Sequence, residues 1–232
     1  MLISACFNSS ISSVVRGLAI AAATVTLAYS PVAAHTVNKI QLASLTANAG
    51  ADVGDVARAR GNVGAHSSGT LRQLIVGSDI LFYDTILTGD DSRAEITFKD
   101  ETQLFLGDNS ELIIDELIYE PGVKSSAAIT LTSGVFRMIS GKVNKVDGGQ
   151  LTMRTPIATI GIRGTDFWGL QEEDKLTMVL IDNGILDISN GSETVTLDQP
   201  LTGVVIERGV AGIKTISITP EELAEAARTI TW

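Results

Sequence analysis

Histidine and carboxylate side chains are the groups in this sequence that could act as an acid, a base or a metal ligand. The two histidines, His35 and His66, have no neighbouring histidine or cysteine. Catalysis requires a nucleophile with its base, an acid–base pair or a metal. The sequence contains no glycine-rich phosphate loop, zinc-ligand spacing or GxSxG motif. It therefore predicts a protein that is not an enzyme, with no cofactor, no catalytic residue and no metal site.

Acidic residues are concentrated in predicted turns, which raises calcium binding as an alternative. Hard cations require several carboxylate and carbonyl oxygens on one loop, and no segment has the alternate-residue spacing of a calcium loop. Solvated turn carboxylates are the simpler interpretation. The residues concerned are Asp90, Asp91, Asp100, Glu101, Asp108, Glu111, Asp115 and Glu116.

A carbohydrate-binding or hydrolytic β protein is a further alternative, and it would need paired carboxylates on one strand face. Asp166 with Asp182 or Asp187 are the candidates. Resemblance between folds is poor evidence of chemistry, so this alternative ranks below a binding function.

The segment from Thr155 to Phe167 is the centre of the chain, with apolar strand-like pieces, two glycines and one arginine. It predicts a joint between strands. Arg163 is expected to bind turn carbonyls or a carboxylate such as Asp166, and the alternative is a contact with a partner. The aromatic residues near it, Phe167, Trp168 and the more distant Tyr119, are expected in the core rather than in an exposed patch.

The N-terminus has the pattern of a cleavable secretory signal over residues 1–34. One charge, Arg16, precedes a short apolar run, then Pro31 and the small-residue ending Val32-Ala33-Ala34. Cleavage after Ala34 would remove Cys6, the one cysteine, and would change the net charge from −10 to −11. We expect a periplasmic or secreted protein with no membrane attachment. Its acidic surface disfavours nucleic acid and anionic lipid.

Short alternating segments dominate the rest of the chain and predict an all-β fold. Residues 35–53 are expected to be a flexible lead-in with a short strand at Lys39–Leu45, and residues 54–218 to form the all-β domain. Val56–Arg60 and Gly61–Ala65 are predicted to be a pair of strands. Arg93–Phe98 alternates apolar and polar residues, as a half-buried strand does.

Two features concern the architecture of the domain and its end. Gly134–Gly141 is echoed by Gly184–Gly191, which favours stacked layers as in a β-solenoid or β-roll, although chance recurrence of glycine turns explains it equally well. In residues 219–232, Thr219 as N-cap, Pro220 at the first helical position and Glu222 three residues after the cap predict a short helix over Leu223–Arg228.

Four runs in order resemble the FecR domain family, over about Asp55 to Gly212. They are Leu87–Ala94 followed by Phe98-Lys99-Asp100; Leu106–Leu112; Gly134–Arg137; and Arg154–Phe167, with its Thr-Pro and Arg-Gly-Thr-x-Phe pattern. The turn after Phe98 departs from the family, which usually has Asp-Gly where this chain has Asp100-Glu101, and this predicts a difference in turn type. The family's sigma regulators also have a cytoplasmic anti-sigma segment and a membrane helix ahead of the domain, and we expect neither here.

The resemblance implies a solenoid-like, extracytoplasmic module that senses or relays a signal by binding another envelope or secreted protein. The alternative hypothesis is a structural protein that associates with copies of itself. Strand addition at an open sheet edge, or docking around Arg163, is the expected mode of binding. The residues predicted to form the binding site are Thr155, Pro156, Ile160, Gly161, Arg163, Gly164, Thr165 and Phe167.

Overall fold

The structure, a computed structural model, describes residues 50–67, 69–118, 125–143 and 149–232. The predicted signal segment, the predicted strand at Lys39–Leu45 and Tyr119 lie outside these residues. The described residues form strands and one short C-terminal helix, so the predicted all-β class is confirmed.

The strands in chain order are β1 (Asp52–Arg60), β2 (Val63–Ser67), β3 (Thr70–Gln73), β4 (Asp79–Leu81), β5 (Thr85–Thr88), β6 (Arg93–Phe98), β7 (Gln103–Leu106), β8 (Glu111–Ile118), β9 (Ser126–Ile139), β10 (Gln150–Arg154), β11 (Thr159–Arg163), β12 (Asp166–Gln171), β13 (Lys175–Leu180), β14 (Ile185–Ser189), β15 (Thr194–Leu197), β16 (Thr202–Glu207) and β17 (Lys214–Ser217). The helix, α1, spans Pro220–Arg228.

The strands form two sheets that share β9. The order of the first sheet is β4-β1-β6-β7-β9-β12-β13-β16-β17. That of the second is β3-β2-β5-β8-β9-β10-β11-β14-β15. Residues 126–133 of β9 pair in the second sheet and residues 134–139 in the first. All these ladders are antiparallel except the one between β9 and β10.

The core lies between the two sheets and is built from strand alternation. In β6 the even-numbered residues Ala94, Ile96 and Phe98 are buried, whereas the odd-numbered ones are partly exposed, as the sequence predicted. Large, fully buried side chains come from both sheets, for example Phe136 and Phe167 from the first and Ile114 and Met153 from the second.

The expected pairing of Val56–Arg60 with Gly61–Ala65 is wrong. Both segments are strands, but β1 pairs with β4 and β6, and β2 pairs with β3 and β5. Gly61 lies between them with φ of +74° and takes the chain from one sheet to the other. Sequence spacing predicted a hairpin, but the buried faces of the two strands belong to different sheets.

The two echoed glycines, Gly134 and Gly184, also lie where the chain passes between sheets. Their φ angles are +99° and +145°, and a Cβ at either would overlap a neighbouring hydroxyl residue, Ser110 or Thr165 respectively. The glycine of the first copy bends a continuous strand, whereas that of the second ends a turn. The finer prediction of a solenoid or roll is not confirmed.

A repeated crossing motif joins the sheets, and the sequence analysis missed it. Gly89 donates its N–H to the Asn62 carbonyl at 2.9 Å, and the Asn62 N–H donates to Ser92 Oγ at 2.8 Å. Gly107, Val135 and Ser110 make the same two bonds at 2.9 and 3.1 Å. Gly-Asp-Asp-Ser at 89–92 and Gly-Asp-Asn-Ser at 107–110 are the sequence signal that could have identified it.

The predicted C-terminal helix is confirmed, with its start at Pro220. Thr219 Oγ1 accepts from the Glu222 N–H at 3.2 Å, and Glu222 Oε2 accepts from the Thr219 N–H at 2.8 Å, which is a complete capping box. Helix α1 and the residues after it pack on the outer face of the first sheet. Among the described residues, no helix has the length and apolar character needed to cross a membrane.

Candidate interaction surfaces

The predicted joint, residues 155–167, is a turn, a strand and a crossing between sheets. The Thr155 N–H donates to the Ala158 carbonyl at 2.8 Å, and Thr155 Oγ1 accepts from the Ala158 N–H at 3.0 Å, so threonine closes the turn that Pro156 begins. Strand β11 follows in the second sheet. The chain then crosses at Gly164, which has φ of +58°, into β12 of the first sheet.

The eight predicted site residues divide into a buried group and an accessible group. Ile160, Thr165 and Phe167 are buried, and the Phe167 ring packs edge-to-face on Phe136 at 5.7 Å. Thr165 is held by Ser140, whose Oγ accepts from the Thr165 N–H at 2.7 Å. These three side chains support the joint from inside. The residues that remain at least partly accessible are Thr155, Pro156, Gly161, Arg163 and Gly164.

Arg163 is exposed on the outer face of the second sheet, and it contacts Asp187 rather than Asp166. Asp187 also accepts from Thr196 Oγ1 at 2.7 Å. The pKa of Asp187 is lowered, first by the bond from Thr196 and then by that from Arg163. Gly161 lies opposite Asp187 in the register, beside a shallow groove of about 400 Å³ lined by residues 149–152 and 161–163. We call this region the Arg163 face.

Asp166, the expected partner of Arg163, instead binds Arg137 on the first sheet. Arg137 Nε and Nη2 donate to the two carboxylate oxygens of Asp166 at 2.8 and 2.5 Å, a bidentate pair. This bond is the main cause of the raised pKa of Arg137. Asp166 and Asp187 therefore lie in different sheets with separate arginines, and they do not form the carboxylate pair that a hydrolase would need.

The carboxylates proposed for calcium are mostly paired with protein groups. Asp91 contacts Arg60 at 2.6 Å, Glu101 contacts Lys142, and Asp115 accepts from Thr130 Oγ1 at 2.6 Å. Asp100 is buried and accepts from both the N–H and the Oγ1 of Thr102, at 3.1 and 2.7 Å. No group of three or more potential metal ligands occurs within the described ranges.

A second accessible surface lies at the β3 edge of the second sheet, which the sequence analysis did not single out. Leu71, Ile75 and Val76 are exposed by 69%, 63% and 63%, and we call them the edge patch. Among the described residues β3 pairs only with β2, so its other side presents unpaired backbone groups. The sequence contained a signal for this patch, because Leu74-Ile75-Val76 is an apolar run that does not fit the alternating pattern of a half-buried strand.

The edge patch adjoins a buried ion pair and a shallow groove. Arg72 of β3 contacts Asp84 at 2.5 Å, and Asp84 is fully buried. Arg72 Nε and Asp84 Oδ1 have no hydrogen-bond partner among the described residues. A groove of about 430 Å³ is lined by residues 62–64, 71–73 and 87–89.

Taken together, the fold and these surfaces define an all-β domain whose accessible features are sheet faces and edges. Residues 84–186 match the family model described as FecR protein, and this part of the chain is therefore a FecR domain, as the resemblance in the sequence predicted. The matched segment is shorter than the span from Asp55 to Gly212 over which the motifs were recognised.

Solved structures agree with the fold. Two crystal structures of a protein described as a "putative anti-sigma factor" from Parabacteroides distasonis are similar at a TM-score of 0.50 and 13% identity. The similarity covers 60% of this chain and 62% of the other, and thus less than two thirds of that protein. At this identity the likeness shows the fold alone. No curated protein matches the chain.

Proposed function

We propose that this protein is an extracytoplasmic, non-enzymatic module that senses or relays a signal by binding another envelope or secreted protein. The observation that carries the proposal is the FecR domain at residues 84–186. Within the proposal, the N-terminal segment directs export, and the two sheets stack in the roll-like manner that the sequence repeat predicts.

The β3 edge supports strand addition as the mode of binding. A partner strand there would gain main-chain hydrogen bonds along β3 and would cover Leu71, Ile75 and Val76, whose exposure otherwise costs free energy. The edge lies beside unpartnered buried atoms of Arg72 and Asp84. The Arg163 face is the second proposed surface, and there the guanidinium is already engaged by Asp187.

Site-specific photo-crosslinking in the exporting cell tests the proposal. A photoreactive residue at position 75 should trap a distinct envelope protein, and Leu71→Asp should reduce the product at least fivefold. The matched control is position 192, an exposed site by β15 at the opposite edge of the same sheet, where we expect no such product.

The outcomes separate the candidate surfaces. Loss of the product in Arg163→Glu, but not in Leu71→Asp, would assign binding to the Arg163 face and contradict strand addition. Products consisting only of crosslinked copies of this chain would favour the self-associating structural protein. No specific product from either surface would contradict the binding function.

A further inference from the structure

The outer face of the first sheet is apolar where a face in contact with water would be polar. Six side chains, on β7, β9, β12 and β13 or directly after β13, point away from the core between the sheets and form a separate apolar cluster under the C-terminus. We call them the strap-binding face. They are Phe105, Val135, Trp168, Leu170, Val179 and Ile181.

The corresponding face of the second sheet has the opposite character. One row across β9, β10, β11, β14 and β15 is polar throughout: Thr130, Arg154, Thr159, Ser189 and Thr194. A sheet with one solvated face normally alternates in this way. We therefore expect another part of the protein to cover the apolar outer face of the first sheet.

Residues 219–232, which we call the C-terminal strap, cover this face. Ala226 and Ile230 pack on it, and Trp168 Nε1 donates to Thr229 Oγ1 at 3.3 Å. Gly107 makes the approach possible, because a Cβ there would overlap Val135 and lie 2.7 Å from the Thr229 carbonyl oxygen. The strap lies outside the segment that matches the FecR family, residues 84–186, whereas Gly107, Val135 and Trp168 lie within it.

Beyond the helix, the strap continues across the outer face of the first sheet towards its opposite edge. The guanidinium of Arg58, on β1, lies 4.3 Å from the centre of the Trp232 ring, a cation–π distance. Residues 219–232 thus reach from the end of β17 to β1, which are at or next to opposite edges of the sheet.

The strap is held by few contacts. Helix α1 has no buried residue, and Ile230 is the one buried side chain among residues 219–232. Segments with so little buried apolar surface open more readily than the core does. Opening would expose Trp168, Val135 and their neighbours together, which would make a large apolar surface available for binding.

We infer that the outer face of the first sheet is a docking surface for a capped amphipathic helix, and that its occupant in trans is the C-terminal strap of a second copy of this chain. Each molecule of such a pair would give its strap to the other, so the contacts seen within one chain would be made twice between two. Within one molecule the strap competes at a high effective concentration, so exchange requires concentrated protein or mild destabilisation.

A labelled peptide tests the docking surface on the full chain. A fluorescent peptide of residues 217–232 should bind full-length Ile230→Glu, whose own strap is displaced by the buried charge, at least tenfold more tightly than the wild type. Thr231→Glu is the matched control, because it adds the same charge at the exposed neighbour. It should behave as the wild type, and a peptide with the Ile230→Glu change should not bind.

Trp168 reports on the strap without the peptide. With Trp232→Phe as background, Trp168 is the one remaining tryptophan, and Ile230→Glu should shift its emission to the red while the far-ultraviolet β signal is kept. If Ile230→Glu does not fold, Thr229→Ala with Trp232→Ala loosens the strap without a buried charge and should bind the peptide with intermediate affinity. Absence of peptide binding to every folded strap variant would overturn the docking surface.

Exchange of the C-terminal strap between copies is tested by energy transfer. Full chains with Cys6→Ser and Ser192→Cys, labelled separately with donor and acceptor, should develop energy transfer on incubation at high concentration in mild urea. Ile230→Glu should abolish it and Thr231→Glu should not. Peptide binding without exchange between wild-type copies would overturn the second copy as the occupant, as would equal exchange in Ile230→Glu.

Discussion

At the scale of single residues, charged groups are arranged as local pairs, and some of these pairs join neighbouring strands. Arg163 and Asp187 join β11 to β14, whereas Arg137 and Asp166 join β9 to β12. The Arg163 side chain is 63% exposed, so water and salt screen its attraction. Such a pair contributes at most about 1 kcal/mol to folding, and it mainly sets which charge the outer face presents.

Replacing Asp187 should make the free energy of unfolding less dependent on pH in the acidic range. The folded-state pKa of Asp187 is lowered, so its contribution is present above the unfolded pKa, about 3.9, and is lost as pH falls through the folded value. We expect Asp187→Asn to lower the free energy of unfolding by up to about 1 kcal/mol at pH 7, and this difference from the wild type to shrink below pH 4. Urea unfolding between pH 7 and pH 2 measures it.

High salt provides the control for this prediction. It should reduce the part of the difference that comes from Arg163 and leave the hydrogen bond from Thr196. A difference that stays constant from pH 7 to pH 2 would show that the lowered pKa of Asp187 contributes nothing to folding.

Glu101 has a left-handed backbone conformation, and we predict that glycine at this position gives a more stable protein than alanine does. Its φ is +66°, a left-handed conformation for which glycine is the usual residue, and the Glu101 N–H donates to the Phe98 carbonyl at 2.9 Å. A positive φ at this position is one that glycine adopts readily, and the expected difference in turn type from the family stays a prediction. Glu101→Gly should unfold at a higher free energy than Glu101→Ala, by about 1 kcal/mol.

Glu101→Ala is the matched control because both variants lose the contact with Lys142. The difference between them therefore isolates the backbone. Equal urea midpoints for the two variants would show that the left-handed conformation at residue 101 costs nothing.

At the scale of elements, the chain moves repeatedly between the sheets, and each recurring contact joins a glycine on one crossing to a hydroxyl residue on another. Gly61 meets Ser92, Gly134 meets Ser110, and Gly184 meets Thr165. The glycine provides space and a positive φ, while the serine of the first two contacts satisfies a backbone N–H. Buried backbone groups at these bends would otherwise lack partners.

The crossing at Gly134 should tolerate no side chain. Gly134→Ala places a Cβ into Ser110 and imposes a positive φ of +99° on alanine, so we expect a loss of about 3 kcal/mol in the free energy of unfolding. Gly209→Ala is the matched control, because Gly209 has φ of +77° but no atom within 4 Å of the added Cβ. It should lose only about 1 kcal/mol.

Denaturant unfolding of the two variants gives the comparison. Similar losses for Gly134→Ala and Gly209→Ala would mean that backbone strain alone matters and that the close approach to Ser110 is not a constraint.

At the scale of the whole molecule, three surfaces have different chemistry. The β3 edge is apolar, and its outer side has no paired strand among the described residues. The outer face of the second sheet is polar with paired charges, and the outer face of the first sheet is apolar and covered by the C-terminal strap. In the proposals made here, the edge binds a partner protein and the covered face exchanges its strap with a second copy. The proposed export of the protein decides which partners it meets.

Export predicts that the mature protein begins at His35. Expressed in a Gram-negative host, the chain should be recovered from the periplasm or the medium, with this N-terminus by sequencing. Ala34→Leu should block cleavage because the last residue of a signal must be small, whereas Ala33→Leu, one residue earlier, should not. Recovery of uncleaved wild-type protein in the cytoplasm would contradict the prediction.

Local sequence patterns were sufficient to predict part of this structure. The alternation of residues 93–98 identified β6, the Thr219-Pro220-Glu222 pattern identified the helix, and the run Arg154–Phe167 identified the FecR domain. Each depends on groups close in sequence, namely strand period, capping and motif spacing. The sequence also indicated correctly that Phe167 and Trp168 pack rather than lie exposed, because so few aromatics are available to fill a core.

Tertiary structure alone decided the features that depend on which strands become neighbours. Arg163 binds Asp187 instead of Asp166 because β11 pairs with β14 while Asp166 begins a strand in the other sheet. β1 and β2 separate for the same reason, since their buried faces belong to different sheets. The covered outer face of the first sheet is also a tertiary fact, because strand alternation shows that a residue points outward but cannot show what packs on it.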